Sequence, residues 1–162
     1  MRRVTRRLGL CIVPHESKRE WGIPQWFLNP STVTENEAHL LNELPILLVD
    51  DEAAVLNLVS RVLIRDGHNV LQATGPSEAL RVFKECGGAV KLLLTDIVMP
   101  DGSGVRLADE LAALQPGLPV VFMTGYNPEH LGPDNPEQRG GTVLYKPFSM
   151  QSVRDTVRNA LR

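Results

Sequence analysis

The 162-residue chain has little that would mark a secreted, membrane-spanning or nucleic-acid-binding protein. It contains two cysteines, Cys11 and Cys86, with no motif spacing around them. Disulfide frameworks and thiolate metal knuckles are therefore excluded, and a reduced, cytoplasmic chain is expected. No apolar run approaches the roughly 18 residues that a membrane span requires. The start, "MRRVTRRLGLCIVPHE", pairs basic residues with an apolar stretch from Leu8 to Val13. That stretch is too short for a secretory leader and lacks a small-residue cleavage site. Net charge is −2, so composition gives no electrostatic case for a nucleic-acid partner. His15, His39, His68 and His130 have no ligand spacing and read as surface residues.

What the chain does have is a globular balance, 43% hydrophobic and 22% charged, enough for one domain with a core. Its character changes near Pro45. Before that point Trp21, Trp26 and several prolines are scattered without sustained periodicity. After it, short apolar runs alternate with amphipathic ones. "PILLVDD" carries a continuous apolar run, Ile46 to Val49, as in a parallel strand buried on both faces. A helix follows over Ala53 to Arg65, with Val55, Leu58, Val59, Val62 and Leu63 at helical spacing and Gly67 suited to its C-terminal cap. "NVLQAT", "VKLLLTD", "PVVFMT" and "TVLY" supply four further strands. "GPSEALRVFKECGG", "GSGVRLADELAALQPG" and "SMQSVRDTVRNALR" read as helices, the last with Ser149 as N-cap and Met150, Val153, Val157 and Leu161 on one face. The segment from Gly125 to Gly141, rich in Gly, Pro and Asn, is expected to hold one short helix. Alternation of this kind predicts an α/β fold, a flavodoxin-like doubly wound five-stranded parallel sheet of order 2-1-3-4-5 with helices on both faces.

In such sheets the ligand site lies at the carboxyl ends of the strands. Strand one ends in Asp50 and Asp51, strand three in Asp96, strand four in Thr124, and strand five runs into Lys146. Singly, these residues read as a helix cap, a turn residue and a solvated lysine. Converging on one edge, they form an acid cluster with a hydroxyl and an ammonium. Two carboxylates about 4 Å apart repel by roughly 4 kcal/mol at an effective dielectric near 20. A hard cation relieves that repulsion, and an all-oxygen donor set favours Mg²⁺ over Zn²⁺.

The set "ILLVDDE", "LLLTDIVMPDGSG", "VVFMTG" and "YKPF", in that order, resembles the receiver domain of bacterial two-component response regulators. The resemblance runs from Pro45 to the C-terminus. It implies that Asp96 accepts a phosphoryl group from a histidine kinase or histidine phosphotransfer protein. It implies that Asp51 binds Mg²⁺ directly, Asp50 largely through water, and the backbone carbonyl of Val98 as a third protein contact. Thr124 and Lys146 match the residues that hold the phosphoryl group, and the Lys146–Pro147 bond is expected to be cis. "MTGY" resembles receivers attached to hybrid histidine kinases. One departure stands out: Val143 occupies the place, three before the lysine, where the family often has an aromatic switch residue. Tyr126 and Tyr145 lie nearby at other positions.

Residues 1–44 form a separate N-terminal extension in this reading, and residues 45–162 the receiver. "LGLCIV" is similar to the end of a histidine kinase ATP-binding domain, although Arg7 stands where that pattern has glycine and Pro14 interrupts the helix. An arbitrary extension is the alternative. No kinase activity and no output domain are expected. "TENEAHLLNEL" has Thr34 and Glu37 spaced as a capping box and is read as a linker helix. Two other functions compete. One is a receiver-like interaction module no longer regulated by phosphate. The other is a Mg²⁺-dependent phosphatase, which would need a second acid or base and a substrate pocket that the sequence does not display. A membrane partner is not expected, and use of the fourth- and fifth-strand face for a homodimer is left open.

Overall fold

The computed structural model describes residues 43–125, 136 and 141–162. The extension before residue 43, the helix expected between Gly125 and Gly141, and Tyr126 all lie outside the described residues. The strands are β1 (Ile46–Val49), β2 (Val70–Ala73), β3 (Leu92–Asp96), β4 (Val98–Met99), β5 (Gly102–Ser103), β6 (Val120–Thr124) and β7 (Thr142–Tyr145). The helices are α1 (Ala53–Arg65), α2 (Pro76–Glu85), α3 (Gly104–Leu114) and α4 (Met150–Ala160). No described helix is long and apolar enough to cross a membrane.

Five parallel strands form one sheet in the order β2-β1-β3-β6-β7. This is the expected 2-1-3-4-5 arrangement once β4 and β5 are set aside. Those two pair only with each other, as an antiparallel hairpin that the sequence pattern did not predict. The continuous apolar runs behave as strands covered on both faces. All four residues of β1 are fully buried, as are Leu92, Leu93 and Leu94 of β3. Alternate residues feed two cores, because successive side chains of a strand point to opposite faces. Leu47, Val49 and Leu93 meet Phe83 of α2 and Val105 and Leu111 of α3. Ile46, Leu48 and Leu94 meet Leu56, Val59 and Leu63 of α1 and Val153 and Val157 of α4. Each fully buried leucine or valine stabilises the fold by about 1.5–3 kcal/mol.

Helix ends follow local chemistry. Gly67, at φ +88°, follows α1, where its N–H donates to Ile64 O and His68 N–H donates to Leu63 O. That pair of bonds is a Schellman motif, and the positive φ suits glycine. Ser149 caps α4 as expected, accepting from Ser152 N–H at 3.0 Å. One helical position differs from expectation: Leu58 is exposed while Leu56, outside the expected stripe, is buried. Helical periodicity in a short apolar-rich segment leaves the rotation of the buried stripe uncertain by about one residue.

Candidate functional site

The parallel register aligns the carboxyl ends of the central strands. Val49 pairs with Thr95, Asp96 with Met123, and Thr124 with Tyr145. The next residue along β1 is Asp50 and along β7 is Lys146, so the chain delivers both to the edge that holds Asp96. Lys146 is fixed by its backbone, whose N–H donates to Thr124 O at 2.7 Å, and the Lys146–Pro147 bond is cis. Thr124 is fully buried.

The lysine ammonium meets three carboxylates. Nζ donates to Asp96 Oδ2 at 2.5 Å, to Asp50 Oδ2 at 2.8 Å and to Glu52 Oε1 at 3.3 Å. The remaining oxygens are also held. Asp50 Oδ1 accepts from Glu52 N–H at 2.9 Å, and Asp96 Oδ1 accepts from Val98 N–H at 3.2 Å. Asp50 is fully buried and Asp96 is 7% exposed. Burial pushes the Asp50 carboxyl above its ordinary range, against the pull of the Lys146 bond and the Glu52 N–H. Burial also acts to deprotonate Lys146, but its bonds to Asp50 and Asp96 outweigh that and hold the ammonium above its ordinary value.

β3 is packed so closely at its carboxyl end that one neighbouring position admits only glycine. A Cβ on Gly104 would stand 1.8 Å from the Asp96 carbonyl oxygen and 2.7 Å from Thr95 Oγ1. Gly104 N–H also donates to Ile97 O at 2.9 Å, which closes the turn between β3 and α3.

Asp50, Asp96, Thr124 and Lys146 thus meet at one edge, as the sequence reading expected. Val98 is at the same edge and 46% exposed, with its backbone N–H on Asp96. Asp51 is exposed and stands outside the carboxylate cluster. The residue the reading missed is Glu52. One oxygen from each of Asp50, Glu52 and Asp96 lies within 4.8 Å of the others. The signal was available, since Glu52 directly follows the aspartate pair at the start of α1. Three carboxylates against one ammonium leave two net negative charges. A cluster of hard oxygen donors with that surplus fits a hard divalent cation such as Mg²⁺.

Residues 46–158 match the family model described as the response regulator receiver domain. A match to the sensor kinase CckA of Brucella abortus is 33% identical over 127 residues, 78% of this chain but 13% of the kinase. The response regulator receiver protein CpdR of the same organism is 31% identical over 72% of this chain and 95% of its own length. Among solved structures, the receiver domain of the hybrid histidine kinase CckA aligns with a TM-score of 0.61 at 30% identity, covering 73% of this chain and 99% of that one.

Proposed function

The chain belongs to the response regulator receiver family of two-component signalling, and from that premise we propose that Asp96 takes a phosphoryl group from a phosphohistidine. The donor is a histidine kinase or a histidine phosphotransfer protein. In the transfer, an Asp96 carboxylate oxygen forms a bond to phosphorus while the phosphorus–nitrogen bond breaks, and the imidazole leaves with the electron pair. The product is an acyl phosphate, and attack of water on phosphorus later releases inorganic phosphate and restores the carboxylate.

The observation that carries this reading is the ammonium of Lys146 against Asp96 at the end of a buried parallel strand. Lys146 neutralises the acceptor at rest and is placed to follow charge onto the phosphoryl oxygens. The Thr124 hydroxyl is the second group assigned to the phosphoryl oxygens. Asp50, Glu52 and Asp96, whose carboxylate oxygens cluster, would hold Mg²⁺ together with the Val98 carbonyl, and Asp51, which the family resemblance implies as a direct ligand, would have to turn in from outside that cluster. A bound Mg²⁺ supplies positive charge to the non-bridging phosphoryl oxygens. The phosphorylated chain then alters its binding to a partner protein through the edge around β6 and β7.

The test is intact mass of the full chain with Mg²⁺ and a small-molecule phosphodonor, for the wild type and Asp96→Asn. A gain of one phosphoryl group is expected in the wild type and absent in the variant. Equal labelling of both proteins removes Asp96 from its role. The competing reading, an interaction module that phosphate does not regulate, draws on Val143, a half-buried valine packed against the α2–α3 core. It predicts no gain in either protein, from this donor or from a histidine kinase.

A further inference from the structure

The two peptide planes that follow Asp96 have all four of their polar groups held. Ile97 N–H donates to Met123 O at 3.1 Å, and Ile97 O accepts from Gly104 N–H at 2.9 Å. Val98 N–H donates to Asp96 Oδ1 at 3.2 Å. The fourth group is the Asp96 carbonyl, which accepts from the Thr95 hydroxyl at 2.9 Å. β1 ends at Val49, level with Thr95, so no residue of that strand stands opposite Asp96 in the ladder. A buried carbonyl at such a place needs a donor from elsewhere. Thr95, itself fully buried, supplies it.

Three of the four groups rest on backbone partners or on the Asp96 carboxylate itself. The Asp96 carbonyl alone depends on another side chain. The surroundings are closed, since a Cβ on Gly104 would meet both atoms of the Thr95–Asp96 bond. Successive residues of a strand face opposite sides of the sheet, so Thr95 does not share the face of the Asp96 carboxylate. Its hydroxyl can reach the chemistry only through the backbone.

We propose that Thr95 is a positioning residue for phosphoryl transfer. Its hydroxyl fixes the peptide plane after Asp96, which brings Val98 N–H onto Asp96 Oδ1 and so aims the carboxylate. The inference rests on the reading of Asp96 as the acceptor. Aim matters, because a displacement of about 1 Å can cost a reaction roughly 10²-fold.

The test uses the full chain as wild type, Thr95→Val, Thr95→Ala and Thr95→Ser. Thr95→Val keeps the shape and removes the donor, and its methyl carbon must stay about 3.3 Å or more from the carbonyl oxygen, so the plane turns. Thr95→Ala removes the donor without that methyl, and Thr95→Ser keeps the hydroxyl. Labelling rates are measured over a series of small-molecule phosphodonor concentrations at saturating Mg²⁺. The maximal rate should fall about tenfold in Thr95→Val and Thr95→Ala, with the half-saturating donor concentration nearly unchanged. Thr95→Ser should keep most of the wild-type rate. The Val98 amide proton, deshielded by the carboxylate, should move upfield in the two variants that lack the hydroxyl and hold its place in Thr95→Ser. A wild-type maximal rate in both variants lacking the hydroxyl overturns the proposal, even where their unfolding midpoints drop, since Thr95 is then only a packing residue. An unmoved Val98 resonance in them overturns it as well, as does an equal loss of rate in Thr95→Ser. These failures leave the reading of Asp96 standing, because the wild type is still labelled. A wild type that gains no phosphoryl group overturns that reading and this inference together.

Discussion

Lys146 satisfies three carboxylates with one ammonium, and two of the three are buried. Removing it leaves Asp50 and Asp96 charged, shielded from water and without their cation. Breaking a buried pair from one side costs about 3 kcal/mol or more. Lys146→Ala is therefore expected to lower unfolding free energy by about 3 kcal/mol at neutral pH in metal-free buffer, since the orphaned carboxylates regain hydration only on unfolding. The pH dependence follows from the two shifts. Lys146 titrates above its ordinary 10.5, so its contribution is complete below that pH and is lost as pH rises through the folded value. Asp50 titrates above its ordinary 3.8, so its charged form is disfavoured in the fold, and acid relieves that cost. The deficit of Lys146→Ala should accordingly narrow as pH falls from neutrality toward the carboxylate range. Urea unfolding of both proteins at several pH values measures it. A deficit that widens in acid contradicts the assignment of Lys146 as their counter-charge.

At the scale of elements, legibility in the sequence followed the strength of the local signal. β1, α1 and β7 have the predicted limits, because their apolar runs are bounded by charge, glycine or proline. The β4–β5 hairpin was not legible. Its strands are two residues each, and "VMPDGS" carries turn residues without an alternating pattern. Gln115 was not legible either. It follows α3, is 5% exposed, donates from Nε2 to Val90 O at 2.7 Å and accepts from Val90 N–H at 3.0 Å. The amide thus acts as one more strand residue, closing the backbone just before β3. A single polar residue beside a proline gives no hint of a bond that spans 25 positions. Gln115→Ala strands a buried N–H and a buried C=O, a loss of roughly 2 kcal/mol. Denaturant unfolding should show a lower midpoint with an unchanged slope, because the exposed surface stays the same. A midpoint equal to wild type would mean that water replaces the amide without cost.

The whole molecule joins a stable sheet to a site that the sheet pays to hold. Two apolar layers fix the strand ends, and the strand ends force three carboxylates within 4.8 Å of one another. The candidate residues could be read from the sequence because parallel topology alone sends them to one edge. Glu52 directly follows the aspartate pair in the sequence, but its reach into the cluster depends on how α1 leaves β1. With one ammonium present, the cluster keeps a net negative charge, and repulsion within it opposes folding. A divalent cation that binds the folded chain and not the unfolded one reverses that opposition by mass action. The gain is about 2.7 kcal/mol when free metal stands 100-fold above its dissociation constant. The thermal midpoint of the wild type is thus expected to climb by several degrees as Mg²⁺ is added, and to return when a chelator removes it. Asp50→Asn removes one of the charges that the cation offsets, so its midpoint should respond more weakly to the same Mg²⁺ series. A wild-type midpoint that is flat across the series, with monovalent salt held constant, would show that Lys146 alone balances the cluster and that no cation site exists there.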